Sequence, residues 1–204
     1  MTEIVILAKN TSIGSVKTRL GKSIGMENAA RVHESLVLHT VHTALESQIP
    51  VAVSLFENHP TALLHELLQL PVRLFPQCTG TLQQKIYQAM QQADRVIAVG
   101  VDCPLMTATD LQNAASVEGL IFGVAEDGGY WLVAANSPPQ RMFAAIDWSS
   151  NRVLHQSLRN AKLLNHWPKL FPTRYDIDTL RDLQRLLFDP LCPPSIKKRF
   201  QVYA

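Results

Sequence analysis

Short apolar runs alternate with amphipathic stretches along most of the chain. The first run, Ile4 to Ala8, is rich in β-branched residues and predicts a strand that is buried on both faces. Comparable runs predict further strands at Val51 to Phe56, Val72 to Phe75, Val96 to Val101, Leu120 to Ala125, Tyr130 to Ala134 and Arg174 to Ile177. Helical spacing of apolar positions predicts the helices between them: Glu27 to Ser47, a helix opened by Pro60, Gln83 to Ala93, a helix through Leu111 capped by Thr109 or Asp110, Arg141 to Ala145, Arg152 to Leu164 and Leu180 to Leu187.

This alternation of strands and helices predicts an α/β fold with a mostly parallel sheet and helices on both faces. No repeat, low-complexity tract or flexible linker interrupts the pattern, so we expect one domain over residues 1–204. Within it, the proline-rich stretch Pro190 to Pro194 should begin a short tail over 190–204. In such sheets ligands bind at the carboxyl ends of the strands, and candidate chemistry is best sought there.

Composition narrows the class of protein. The formal charge is only +2, from 19 basic and 17 acidic residues, and this argues against a nucleic-acid binder with a basic footprint. The three cysteines form no disulfide framework, which favours a reducing compartment. No window has the apolar length of a membrane span. We expect a soluble cytoplasmic protein; its oligomeric state stays open, a homodimer included.

The loop after the first strand is the first candidate site. It contains Gly14, hydroxyl side chains and the cations Lys9, Lys17 and Arg19 within one strand-to-helix connection. Backbone amides and positive charge are what a phosphate-binding loop needs. The spacing matches neither a Walker loop nor a dinucleotide fingerprint. A solvated basic turn is the alternative, and composition alone does not separate the two.

A second candidate is Asp102, which follows the apolar run ending at Val101 and precedes Cys103 and Pro104. Its position corresponds to the ligand edge of a parallel sheet, where one or two carboxylates can hold a nucleotide-bound divalent cation. The competing interpretation is a turn-forming aspartate before proline.

Two further segments combine acids with turn residues. Glu126 and Asp127 precede Gly128 and Gly129 between two apolar runs, which predicts a hairpin turn and leaves the acidic pair a functional role. Asp176 and Asp178 occupy alternate positions and would share one face of a strand, unless Asp178 or Thr179 caps the last helix. A third segment, Asp147 to Ser150, is either a helix cap with an aromatic anchor or part of an acceptor pocket.

Taken in order, these segments resemble the small glycosyltransferase-like proteins of the nucleotide-diphospho-sugar transferase (GT-A) superfamily. Near relatives in that group are associated with arsenosugar biosynthesis, and distant ones include the guanylyltransferases for phospholactate and for the molybdenum cofactor. The segments that carry the resemblance are Ile6 to Leu20, Gly100 to Pro104, Ala125 to Tyr130, Asp147 to Ser149 and Asp176 to Thr179.

The resemblance implies a Rossmann-like GT-A fold, a bound Mg²⁺ or Mn²⁺ ion, and a nucleotide sugar or nucleoside triphosphate as ligand. It implies a nucleotide site made of Ala8, Lys9, Gly14, Lys17, Arg19 and Gly80. Asp102 and Asp176 would hold the metal, while Asp127 and Lys17 would be catalytic. The sugar or small-molecule acceptor side would comprise Glu126, Gly128, Gly129, Asp147, Trp148 and Asp178.

Two segments depart from the family pattern. Ile13 and Gly14 stand where a Pro-Gly pair is usual, and Gly80 to Lys85 replaces a G-D-L-G-x-R segment. Our working hypothesis is a metal-dependent glycosyltransferase that uses a nucleotide-diphospho-sugar donor. A nucleotidyltransferase that releases pyrophosphate, or a catalytically degenerate nucleotide-binding protein, is the alternative. Each of these requires the first loop and Asp102 to meet at one edge of the sheet.

Overall fold

The computed structural model describes residues 1–57 and 59–204. Its centre is a seven-stranded sheet in the order β3-β2-β1-β4-β6-β5-β7, in which only β6 runs antiparallel to its neighbours. The strands are β1 (Thr2–Lys9), β2 (Val51–Phe56), β3 (Arg73–Pro76), β4 (Arg95–Val99), β5 (Ile121–Ala125), β6 (Tyr130–Asn136) and β7 (Lys169–Arg174). The predicted α/β class and mostly parallel sheet are confirmed.

Helices connect the strands and cover both faces of the sheet. They are α1 (Thr18–Ile24), α2 (Met26–Glu46), α3 (Ala62–Leu67), α4 (Leu82–Met90), α5 (Ala108–Ser116), α6 (Val153–Leu163), α7 (Leu180–Phe188) and α8 (Pro194–Phe200), with short 3-10 turns at Gln140–Phe143 and Gln201–Tyr203. Within the described residues, no helix has both the length and the apolar character needed to cross a membrane.

Strand β1 shows how the sheet forms two cores. Its side chains alternate between the faces, so that Ile4 and Ile6 join an apolar cluster with α2, α3 and α5. Val5, from the opposite face, joins a second cluster with α4 and α6. The near-continuous apolar run at the start of the chain therefore reflects a strand that is covered on both sides.

A third apolar cluster includes the C-terminal segment. Ile196 and Phe200 of α8 are 2% and 4% exposed and lie in one cluster with Leu20 of α1 and Leu36 of α2. Residues 190–204, where the proline pattern predicted a short tail, therefore contain α8, which packs into this cluster, and a 3-10 turn.

Several element predictions need correction. The strand predicted at Arg174 to Ile177 lies earlier, at Lys169–Arg174, because β5 pairs with that segment; the chain then turns so that the Ile177 N–H bonds to the carbonyl of Asp102 at 2.9 Å. Helix α5 is capped by Thr107 and not by Thr109 or Asp110, although Asp110 completes the capping box. The helix predicted at Arg141 to Ala145 is a single 3-10 turn, and α1 was not predicted.

Close packing at Gly123 of β5 generates a stability prediction. A Cβ atom there would lie 2.5 Å from Cε2 of Trp131, whose indole Nε1 is held by a hydrogen bond to the Pro172 carbonyl. Gly123→Ala should therefore lower the free energy of unfolding by about 1–3 kcal/mol, measured by urea denaturation. Gly100→Ala is the matched control because its Cβ would meet no atom within 4 Å. Equal stability of the two variants would contradict this account of the sheet.

Candidate functional site

A cleft of about 840 Å³ opens at the carboxyl ends of β1 and β4. The two strands are neighbours in the sheet. From β1 the chain continues to β2 and β3 on one side of β1, whereas β4 lies on the other side of β1. This reversal of strand order is a topological switch point, the usual ligand site of open α/β sheets. The strand ends that line it are residues 7–9 and 98–103.

Lys17 lies at the bottom of this cleft and joins three distant parts of the chain. Its side chain is only 4% exposed, and its Nζ lies 2.6 Å from Oδ1 of Asp102 and 3.3 Å from Oδ1 of Asp178. The same ammonium donates a 2.5 Å hydrogen bond to the Ile177 carbonyl. The predicted meeting of the first loop with Asp102 is therefore confirmed.

The partners of Lys17 favour its protonated, charged form. Burial by itself would lower the pKa of Lys17, but the negative charges of Asp102 and Asp178 outweigh it and the net pKa is raised. The backbone of Lys17 has φ 47°, a left-handed conformation that is uncommon outside glycine. This turn ends the first loop and begins α1, and it directs the ammonium inward.

Asp176 is the most perturbed acid of the cleft. Burial, followed by the negative charges of Asp102 and Asp127, raises the pKa of Asp176 to about 7 against the opposing effect of Lys17. No hydrogen bond to its carboxylate is present among the described residues. The centre of the cleft is thus a crowded group of acids with one buried cation.

These acids suit a divalent cation that arrives together with its ligand. Asp102 and Asp176 supply hard oxygen atoms of the kind that Mg²⁺ and Mn²⁺ bind. Over residues 1–57 and 59–204, no group of three or more histidine, cysteine or acidic side chains could hold a metal by itself. Magnesium in nucleotide sites typically takes one or two carboxylates, with phosphate oxygens and water completing the shell. The donor set fits that kind of site.

The two sides of the cleft differ in charge. Four cationic residues line the cleft, and we call them the basic wall: Lys9 at the end of β1, Lys85 over the Phe56 ring at the end of β2, and Lys17 and Arg19 beside Asp178. The side toward β6, which we call the aromatic wall, comprises Tyr130, Trp148, Ser149, Ser150, Asn151 and Val153. Asp102 follows β4, the strand between β1 and β6, and the segment of Asp176 joins it there through the Ile177 N–H bond to the Asp102 carbonyl.

Comparison with known proteins relates this geometry to a family. Residues 39–150 match the family described as uncharacterized protein conserved in bacteria, DUF2064. The chain belongs to the DUF2064 family. The matching region includes Asp102, Asp127 and Trp148 but not the first loop or the closing Asp176 segment. No curated protein matches the sequence.

Solved structures place this DUF2064 protein within the nucleotide-diphospho-sugar transferase fold. A provisionally named nucleotide-diphospho-sugar transferase from Desulfovibrio desulfuricans G20 aligns with a TM-score of 0.85 at 20% identity, covering 99% of this chain and 96% of that one. A CMP:2-keto-3-deoxy-manno-octonic acid synthetase solved with CTP aligns at 0.59 and 11% identity, covering 91% and 96%. The inositol-1-phosphate CTP transferase from T. maritima aligns at 0.57 and 13%, covering 88% and 90%. The predicted GT-A fold is confirmed.

The predicted nucleotide-binding residues of the DUF2064 chain divide into two groups. Ala8, Lys9, Lys17 and Arg19 line the cleft, whereas Gly14 and Gly80 are not among its lining residues. Gly14 and Gly80 have positive φ angles of 86° and 136°, so both serve loop conformation. Gly80 directly precedes the capping box that begins α4.

The predicted acceptor-side residues divide in the same way. Asp127, Gly129, Trp148 and Asp178 line the cleft. Three residues lie outside its lining: Glu126, Gly128 and Asp147.

Each of those three residues has a structural contact instead. Glu126 accepts two hydrogen bonds from Arg185, at 2.6 and 2.8 Å, on the protein surface. Gly128 packs so tightly that a Cβ there would lie 2.1 Å from the carbonyl oxygen of Asn151. Asp147 pairs with Arg152 at the surface.

Lys85 and His33 are among the cleft residues of the DUF2064 protein that sequence reasoning missed. Lys85 lies with its Nζ 3.8 Å from the centre of the Phe56 ring, and burial followed by the charge of Lys9 lowers its pKa. His33 is buried, with Nε2 3.0 Å from the Lys9 carbonyl, and burial lowers its pKa. Lys85 could have been found from the last position of the altered G-D-L-G-x-R segment. His33 had no signal, because it lies on the buried face of a long helix.

Removing the buried cation should destabilise the protein. Lys17→Met preserves volume but leaves Asp102 and Asp178 without their partner, and losing one member of a fully buried ion pair costs about 3–5 kcal/mol. Because both carboxylates are roughly half exposed, water can solvate them, and we expect a loss of about 1–3 kcal/mol in chemical denaturation. Arg19→Met is the control, since the Arg19 side chain is 75% exposed. A Lys17→Met variant as stable as Arg19→Met would refute the role given to the ammonium.

Asp176 should make the stability of the metal-free protein depend on pH. Its pKa is about 7 in the folded chain and about 4 in an unfolded one, so the folded state binds the extra proton between these values. The stability that Asp176 contributes is therefore complete below about pH 4 and is lost as the pH rises through 7. Asp176→Asn should gain stability over the unmodified protein across that interval, measured by urea unfolding in EDTA. Asp147→Asn, at the surface, should show no such trend; parallel curves for Asp176→Asn and the unmodified protein would refute the shift.

Proposed function

We propose that this protein is a metal-dependent glycosyltransferase that uses a nucleotide-diphospho-sugar donor. The observation that carries the proposal is the meeting of the basic wall with Asp102 and Asp176 at the switch point of the sheet. A diphosphate needs positive charge and, with a divalent cation, one or two carboxylates, and this cleft offers both within one space.

The cations of the basic wall have different roles in this proposal. Lys9 and Lys85 have no carboxylate partner within 4.0 Å among the described residues, so their charges are available to phosphate oxygens. Arg19 is largely exposed and lies 3.9 Å from Asp178, so it can turn toward a ligand at little cost. Lys17 is already bound, and it holds Asp102 in place and contributes a fixed positive charge below the diphosphate.

A divalent cation held by Asp102 and Asp176 would neutralise charge on the departing nucleoside diphosphate. In the transfer itself, an acceptor hydroxyl oxygen forms a bond to the anomeric carbon while the bond from that carbon to the diphosphate oxygen breaks. Asp127, exposed in the cleft, accepts the hydroxyl proton. Its Oδ1 takes a 2.9 Å hydrogen bond from the Gly129 amide, which fixes the orientation of the carboxylate.

Nucleotidyl transfer is the second candidate function, and the fold favours it as well. The synthetase solved with CTP and the CTP transferase from T. maritima share this fold at TM-scores of 0.59 and 0.57. In that reaction an acceptor phosphate would attack the α-phosphorus of a nucleoside triphosphate and release pyrophosphate. Fold alone does not determine which bond breaks, so the products must decide.

A ligand panel tests the proposal. In thermal shift with Mn²⁺, one class of nucleotide sugar should raise the melting temperature because bound ligand stabilises the folded state by mass action. Asp102→Asn should weaken that metal-dependent binding by at least about tenfold, equivalent to about 1.4 kcal/mol, while the surface control Asp147→Asn leaves it unchanged. In a product analysis, the release of free nucleoside diphosphate together with a glycosylated acceptor supports glycosyl transfer. Pyrophosphate from a triphosphate would establish the second candidate, and binding indifferent to Asp102→Asn would remove Asp102 from the site.

A further inference from the structure

We infer that the aromatic wall is the acceptor subsite and that it takes an uncharged, hydroxyl-bearing acceptor with an apolar ring face, not a phosphorylated one. This inference rests on the proposed glycosyl transfer, whose donor occupies the basic wall. It specifies the chemical class of the second substrate. It also gives a physical criterion, the charge of the acceptor, that distinguishes glycosyl transfer from nucleotidyl transfer.

The distribution of charge is the first argument. All the cationic residues that line the described cleft belong to the basic wall, and the six residues of the aromatic wall are uncharged. Arg152 lies beside that wall in the chain, but it is paired with Asp147 at the surface and does not line the cleft. A phosphate on the acceptor would find no counter-charge on this side.

One acid of the cleft strengthens that argument. Asp127 lines the cleft on the turn that packs against the segment carrying Trp148, and it is not one of the proposed metal ligands. A phosphate placed against the aromatic wall would bring two further negative charges toward this carboxylate. Like charges in a partly desolvated site are costly unless a cation lies between them. A neutral hydroxyl carries no such cost.

Shape and polarity provide the positive argument. Trp148 meets Tyr130 edge to face, with ring centres 6.3 Å apart, and Tyr130 packs against Phe122 at 4.9 Å. Burial raises the pKa of Tyr130, so its phenol stays neutral. Trp148 thus has a rigid aromatic support, and amphipathic rings of this kind bury the apolar face of a ligand. Ser149 and Asn151, beside it, offer hydroxyl and amide groups for a polar edge.

The wall is also connected to the proposed base. The hairpin turn that carries Asp127 lies against the segment that carries Trp148, because the Leu154 N–H donates to the Gly128 carbonyl at 2.8 Å. Gly128 permits this approach, since any side chain there would collide with Asn151. A hydroxyl on a ring bound at Trp148 is therefore on the same side of the cleft as the Asp127 carboxylate.

Two simple probes test the inference: phenyl β-glucoside, which is neutral, and phenyl phosphate, which is anionic. Their binding is measured by titration calorimetry or saturation-transfer NMR, with Mn²⁺ and the nucleoside diphosphate of the best donor occupying the basic wall. Phenyl β-glucoside should bind and phenyl phosphate should not. Trp148→Ala should weaken glucoside binding by at least about tenfold without altering nucleotide affinity, and Trp148→Phe should recover most of it.

Matched variants keep the result interpretable. Trp167→Ala removes a tryptophan that is 76% exposed and outside the cleft lining, and it should change neither probe. Asn151→Lys adds a cation to the aromatic wall and should create phenyl phosphate binding, even if Trp148→Ala does not fold. Preferred binding of phenyl phosphate by the unmodified protein, no binding of the glucoside, or glucoside binding indifferent to Trp148→Ala would each overturn the inference.

The test of the acceptor subsite can fail or succeed independently of the test of the proposed donor site. If no nucleotide binds, the probes are compared without one, and Trp148→Ala distinguishes the aromatic wall from the basic wall. Glucoside binding through Trp148 without any donor binding would refute the glycosyltransferase proposal and support the subsite. Donor binding together with a phosphate-selective wall would refute the subsite and leave the donor site standing.

Discussion

The buried ammonium of Lys17 is the interaction on which the site depends. It joins three segments that are far apart in sequence: the first loop, the segment after β4 at Asp102, and the segment before α7 at Asp178. An ammonium taken out of water is costly unless carboxylates and carbonyls replace its hydration, and here two carboxylates and the Ile177 carbonyl do so. The strained backbone of Lys17 is tolerated because these contacts fix it.

The side chains around Lys17 form zones of different charge in the cleft. The basic wall suits phosphates, the acids at Asp102 and Asp176 suit a divalent cation, and the aromatic wall suits a neutral ring. These residues come from the first loop and α4, from the segments after β4 and β7, and from the start of β6 and the segment before α6. In the proposed reaction, a charged donor and a neutral acceptor would lie side by side in this cleft.

The nucleotide-diphospho-sugar transferase fold provides this framework but does not choose the reaction. Proteins at 10–20% identity that share it include enzymes named for both sugar and nucleotide transfer. The reaction is set by the site and not by the fold. In this DUF2064 protein, the described lining of the cleft combines cations, carboxylates and aromatic side chains.

The sequence alone determined the α/β class, the parallel sheet and the loops that carry Lys17, Asp102 and Asp127, because buried strands and their polar ends leave a local signature. It did not determine which face each acid presents. Asp176 and Asp178 were expected to share one face of a strand unless Asp178 or Thr179 capped the last helix. They lie in an irregular segment, and Thr179 is the N-cap of α7. Asp178 lies beside Lys17, and Asp176 is raised in pKa by burial and by the charges of Asp102 and Asp127, so their separate roles depend on residues that are distant in the sequence. Only the tertiary structure decided that Glu126 bonds to Arg185 outside the cleft and that Lys85 completes the basic wall. Charge in a cleft is a sum over distant segments and not a property of any one of them.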